Sequence, residues 1–187
     1  MCAPKYEGGP CLKSLDTWNR AAIAKHIWFL FSGGEKSMWC QWVQSYLLEG
    51  KSFWKVKVPN DPSWVWRKQL SLRDTVSPLI LHKIGRGDST FLWHDNWHPF
   101  GPHRYGDRIL YDSCLNSEAK VSQIVDENSW KWPIPNSWEI RELISVTPSS
   151  CKPNSSRSDQ PFWHLNPDGV FSIKSVWNYW RSKFDTV

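Results

Sequence analysis

The sequence is short of the arrangements that usually carry chemistry. Its cysteines, Cys2, Cys11, Cys40, Cys114 and Cys151, are odd in number, widely spaced and without a CxxC pair. A disulfide framework or a closed zinc site needs paired spacing, so neither is indicated. Free thiols fit a reducing, intracellular compartment, with nothing to separate nucleus from cytoplasm. No apolar run approaches the roughly 20 residues that a membrane-spanning helix requires, so no membrane association is expected. Met1-Cys2-Ala3-Pro4-Lys5 leads into Gly and Pro, unlike the apolar stretch of a secretory signal. Acidic residues do not cluster: Asp88, Asp95, Asp107 and Asp112 are scattered through turn-like stretches. A two-metal nuclease or polymerase holds its ions on converging carboxylates. No Ser, Cys or Lys lies in a nucleophile motif, and no solenoid-length repeat is visible. The chain therefore reads as a non-enzyme, with no catalytic residue, cofactor or metal expected.

What the sequence has in abundance is tryptophan. Fifteen Trp occur among 187 residues, against two Met. Each indole is large and needs a partner for its N–H when buried, so some must line a surface, a groove or a missing partner's footprint. The hydrophobic and charged fractions, 40% and 22%, are those of an ordinary globular chain. The length suits one domain, or one domain with an appendage. The formal charge of +5 is uneven: residues 1–90 carry +6 and residues 91–187 carry −1. A cationic half attracts phosphate backbones by releasing counterions.

Local patterns place the elements. Glu7 to Pro10 reads as a turn. Ser14 caps a helix whose stripe is Leu15, Trp18, Ala22, His26 and Phe29, widened by Ile23, Ile27 and Leu30. Gly33-Gly34 ends it. A second helix spans Ser37 to Leu48, with Trp39, Trp42, Val43, Tyr46 and Leu47 on one face and Gly50 as its stop. Trp54, Val56 and Val58 alternate with Lys55 and Lys57 in a short extended segment. Asp61 and Pro62 start a third helix that ends before Pro78. Residues 83–85 and 90–94 flank Arg86-Gly87-Asp88-Ser89 as a first β-hairpin, and 163–165 and 170–173 flank Asn166-Pro167-Asp168-Gly169 as a second. Short helices fit Val121 to Val125 and Trp138 to Ile144, and a last helix begins at Ser175. Thr147 to Gln160 is rich in Ser, Pro and Asn and reads as a linker. The fold class is α+β, with a helical N-terminal half and two hairpins and short helices in the C-terminal half.

Several blocks, in order, resemble the region downstream of the polymerase core in plant LINE-type (non-LTR) retrotransposon reverse transcriptases. They are Gly8-Gly9 with Leu12 to Leu15, Trp18 to Ala21 and Lys25 to Trp28; Trp39 to Trp42 with Gly50 to Trp54; Ser63 to Lys68 with Leu72-Arg73; Ile84 to Trp97; and Gly169 to Trp177. Pro10 and Cys11 depart from the usual pattern. The resemblance implies a thumb/connector-like region over 1–146, the linker at 147–160, and over 161–187 the truncated start of a reverse-transcriptase zinc-binding domain. It also implies that neither chemical centre is present: the aromatic-x-Asp-Asp motif and the later Cys/His motif of that family do not occur in this sequence.

The remaining candidates are these. His94 and His98 lie at a strand end entering a Pro/Gly loop, where the rings do not converge, so packing is favoured over metal binding. Gly85-x-Gly87 lacks the third glycine and the following helix of a phosphate loop. The densest basic cluster is Lys51, Lys55, Lys57, Arg67, Lys68 and Arg73, interleaved with Trp54, Trp64 and Trp66. Cations there would fix phosphates of RNA or DNA, and Trp64 would stack on unpaired bases. The same spacing also fits a buried tryptophan stripe. The functional expectation is a catalytically silent reverse-transcriptase fragment with weak, non-specific nucleic-acid binding. The alternative is a Trp-rich protein-interaction module from a domesticated retroelement.

Overall fold

A computed structural model describes residues 14–33, 37–99, 101, 107–134, 137–149 and 151–181; the turn expected at Glu7 to Pro10 lies outside them. Ser14 accepts a hydrogen bond from the Thr17 amide and opens α1 (Leu15–Ser32), as its position ahead of an apolar-periodic run requires. The buried face is rotated from the expected stripe. Ala21, Ala24, Ile27 and Leu30 are buried, while Leu15, His26 and Phe29 are exposed. The two alanines let α1 pack closely on both α3 (Trp64–Val76) and α6 (Ile173–Trp180), a geometry that larger side chains on that line would block.

The second helix also departs from a 3.6-residue pattern. α2 (Met38–Trp42), capped by Ser37, passes directly into a π-helical stretch, Val43–Leu48. The stretch closes with the Glu49 amide donating to the Gln44 carbonyl at 3.0 Å, five residues back. A wider turn brings residues five apart to one face. Val43 and Leu48 are accordingly buried, while Trp42 and Tyr46 of the expected stripe face outward. α3 starts from Ser63, not Asp61, because the Ser63 hydroxyl accepts from the Trp66 amide. It stops before Pro78, as expected, and a 3₁₀ turn (Ser77–Leu79) leads into β1 (Ile80–Lys83).

The two hairpins expected around 86–89 and 166–169 are not formed. β1 pairs antiparallel with β4 (Gln160–Trp163), with Ile80 opposite Trp163 and Lys83 opposite Gln160. Residues 84–96 are instead a chain of turns, and Ser172 caps α6 where the second hairpin's return strand was expected. Local turn chemistry fixes where the chain bends, but here the flanking segments find partners far along the chain. A hairpin does occur where none was expected, joining β2 (Val125–Asp126) to β3 (Ser129–Trp130). With α4 (Asp107–Ser113) and α5 (Trp138–Val146), the described residues form six α-helices and two two-stranded antiparallel sheets, an α+β fold as expected. None of these helices is long and apolar enough to cross a membrane.

Two apolar clusters result. The first joins α1, α2, the π-helical stretch, Phe53, Trp54, Val56, α3 and β1 to Trp163, Val176 and Trp177. Trp163 has no exposed surface, stands edge-on to Trp28 at 5.7 Å, and donates its indole N–H to Ser175 Oγ at 3.0 Å. The second gathers Leu92, Trp93, Trp97, Ala119, Val121, Ile124, Ile140 and Leu143. Residues 161–181 thus share their core with α1 and α3, and β1 and β4 bracket everything between them.

Candidate nucleic-acid interface

The turn run that begins at Gly85 has a definite task. Asp159 Oδ1 accepts from the amides of Gly85 and Gly87, both at 2.8 Å. Its Oδ2 accepts from the amides and hydroxyls of Ser89 and Thr90, between 2.8 and 3.1 Å. Gly87 sits at φ +76, and an added Cβ there would lie 2.5 Å from the Ser122 amide nitrogen; a glycine is required by conformation and by space. Burial pushes the Asp159 carboxyl pKa up, but the donations from Gly85, Gly87, Thr90 and Ser89 outweigh it and hold the group below its ordinary value. A second carboxylate in the same run, Asp95, accepts from the Trp54 indole at 2.7 Å and the Phe91 amide at 2.6 Å. The Gly-x-Gly and Asp95 positions therefore tie the two apolar clusters together. Sequence reasoning missed Asp159, which lies in the stretch read as a linker. The available signal was a run of amide and hydroxyl donors at 85–90 with no acceptor nearby in sequence.

The two histidines are packing residues in this structure. His94 is buried, and burial lowers its pKa. His98 is also buried and bonds Thr147 Oγ1 at 3.1 Å, and that hydroxyl donates to the Leu143 carbonyl at 2.7 Å. Having used its proton, Thr147 Oγ1 can only accept, so His98 Nε2 carries the hydrogen. Among the described residues, no group of three or more His, Cys, Asp or Glu is placed to hold a metal ion. Burial lowers the His98 pKa from 6.5 to about 4. Between those values the unfolded chain binds a proton that the folded chain refuses, so stability falls as pH drops through that window. The contribution is at most about 3 kcal/mol. A His98→Gln variant should show a flatter dependence of Tm on pH between roughly 6.5 and 4.5. Parallel curves for variant and native chain would refute this.

The basic cluster is brought together in part. Arg73 Nη1 donates to the Val56 carbonyl at 2.7 Å, and the Phe53 ring meets the Trp66 ring edge-on at 5.6 Å. These contacts hold residues 53–56 against α3. Lys55 and Lys57 are exposed on the extended segment, and Arg67 and Lys68 are exposed on the first turns of α3. Lys51 is exposed and stands 3.7 Å from Glu49. Arg73 is half-buried and occupied with Val56, so its guanidinium fastens the segment. The tryptophans divide. Trp54 and Trp66 are 8% and 4% exposed and belong to the core, whereas Trp64 is 65% exposed, with Lys68 Nζ 5.9 Å from its ring centre. Trp64 and Trp66 are two positions apart on one helix and so face opposite ways. The result is an open indole beside the Lys68 ammonium, on a helix that also exposes Arg67, while the segment bearing Lys55 and Lys57 packs on the Trp66 and Arg73 side of that helix; the indole offers one stacking surface and the exposed cations can hold phosphates.

Comparison with known proteins gives one relative at low identity. The chain is 25% identical, over a 193-residue alignment, to an Arabidopsis thaliana protein described as "Putative ribonuclease H protein". The alignment spans 95% of this chain and 29% of that protein, so the chain covers under a third of the relative's length. No family model matches the sequence, and no solved structure matches it.

Proposed function

We propose that this chain is a catalytically silent connector piece of a retroelement replication protein, of the LINE reverse-transcriptase type, that contacts nucleic acid through the α3 face. The observation that carries this reading is the exposed Trp64 beside Lys68, with Arg67 exposed on the same helix and Lys55 and Lys57 exposed on the segment that the Arg73–Val56 bond fastens to it. Two further facts support it. The basic half of the sequence holds this face, and the aligned plant relative bears the name of a nucleic-acid enzyme. The proposal that the chain itself lacks a catalytic centre rests on its sequence, which has no Asp-Asp pair and no clustered Cys and His.

The test is binding against salt. If about four to six phosphates are neutralised, log affinity for a duplex should fall with log salt at a slope of about −4 to −5. Replacing Lys55, Lys57, Arg67 and Lys68 together by Gln should flatten that slope by about three units. Sequence preference should be small, because phosphate contacts carry no base information. Absence of binding to duplex, hybrid and single strand at low salt would end this reading. The second reading, a protein-interaction module, draws on a different face, where Met38, Trp42 and Tyr46 are 86%, 50% and 70% exposed. Capture of a protein partner that is lost on Trp42→Ala, in a chain without nucleic-acid affinity, would favour it.

A further inference from the structure

His94 stands at the seam between the two apolar clusters. Trp93, beside it in sequence, belongs to the second cluster. Two carboxylates whose charges act on its ring reach across to the first. Glu118 Oε2 accepts from the Ser52 amide at 2.8 Å, and Asp95 Oδ1 accepts from the Trp54 indole at 2.7 Å. Phe53 and Trp54, which follow Ser52, are first-cluster residues, and Ala119, which follows Glu118, is a second-cluster residue.

The imidazole suits this place only while it is neutral. It is buried, and its Nε2 is sealed from solvent without a hydrogen-bond partner. Protonation makes both ring nitrogens donors, and a buried charged donor without an acceptor costs more than a neutral one. Burial holds the His94 pKa below 6.5; Glu118 and Asp95 raise it by their charge, Lys55 lowers it, and the Ser117 backbone raises it as an acceptor. The closed seam therefore favours the neutral ring. Its stability is complete above pH 6.5 and is lost progressively as pH falls below that value.

The two carboxylates are not equally able to answer a charged ring. Asp95 is buried and holds two donors, the Trp54 indole and the Phe91 amide. Glu118 is half-buried and has the longer side chain, and among the described residues its carboxylate bonds the Ser52 amide only. It also directly follows Ser117, whose backbone acts on the ring. We infer that His94 is an acid-responsive latch on the seam: its protonation draws the Glu118 carboxylate off the Ser52 amide and loosens, at its Ser52 end, the segment that leads to Lys55 and Lys57. The effect is local. Asp159 stays ionised in this window, because its donors hold its pKa below 3.8, so the turn run at 85–90 remains fastened.

The inference is independent of the nucleic-acid reading. The full chain is followed by NMR, with amide protection corrected for the intrinsic pH dependence of exchange. In the native chain the protection of the Ser52 amide should fall at least about tenfold between about pH 8 and pH 5, while that of Ile27 in the middle of α1 holds. His94→Gln cannot be charged and should abolish the fall. Glu118→Gln keeps an oxygen for Ser52 but offers the ring no charge. It should also abolish the fall, and it should move the ring titration of His94 to lower pH; this variant carries the test if His94→Gln does not fold. His98→Gln, at the other buried histidine, should leave the Ser52 response as it is. Constant Ser52 protection in the native chain, the same fall in the His94 and Glu118 variants, or an equal fall at Ile27 would overturn the inference.

Discussion

Replacing Asp159 by Ala should cost about 3–5 kcal/mol of stability, among the largest single-residue effects in the chain. The carboxylate answers three buried or half-buried amides and two hydroxyls in one turn run, besides a fourth amide at Gly85. Alanine would leave those donors facing protein with no acceptor, and each unmet buried donor costs about 1–3 kcal/mol before relaxation. For a chain of this size Tm should drop by roughly 10 °C. Asp159→Asn keeps one oxygen but turns an NH₂ toward N–H groups, so it should fall between Ala and the native chain. The acid response follows the same bonds. Because the folded pKa is held below 3.8, the carboxylate's contribution is complete above that value and is lost as pH falls through the lower folded value. Unchanged melting in both variants would show that the turn run holds its shape without Asp159.

Trp64→Ala and Trp66→Ala should give opposite results, although the residues are two apart. Trp66 is buried against Phe53, so its truncation should cost about 3–5 kcal/mol. Trp64 is 65% exposed and its loss should leave Tm within about one degree. If Trp64 stacks on bases, its removal should weaken single-strand binding by roughly 5- to 150-fold, the equivalent of about 1–3 kcal/mol, and leave the salt slope intact. Binding is measured well below the melting temperature of each variant, so that a Trp66→Ala chain is still folded. Loss of stability in Trp64→Ala, or retained single-strand affinity, would remove the stacking role.

Much of the fold's local grammar could be read from sequence. Ser14 and Ser37 stand where caps belong, Pro78 bounds α3, and the helices near Val121 and Trp138 are where pattern placed them. What could not be read was partnership over distance. The turn at 86–89 looks like the tip of a hairpin because Gly and Asp sit between apolar runs, yet its amides turn toward a carboxylate some seventy residues on. The π-helical stretch leaves no mark in a periodicity that assumes four-residue closure, so Trp42 and Tyr46 were assigned to the buried face and are exposed. Within the basic cluster, the sequence placed the cations together but could not say that Arg73 would turn inward to the Val56 carbonyl. It also could not say which tryptophan would be left outside.

The pairing of β1 with β4 sets a timetable for the chain as it is made. Residues 84–159 must be synthesised before β4 exists, which at about 5–20 residues per second is a delay of roughly 4–15 s. During that interval α1, α3 and β1 have no Trp163 or Trp177 to close their apolar face, and Trp28 and Ile80 stay open to other chains. The second cluster, built from residues 92–143, can form while the first is still waiting. A nascent chain stalled in this interval would be the form most in need of a chaperone, and the arrival of β4 and α6 is what releases it.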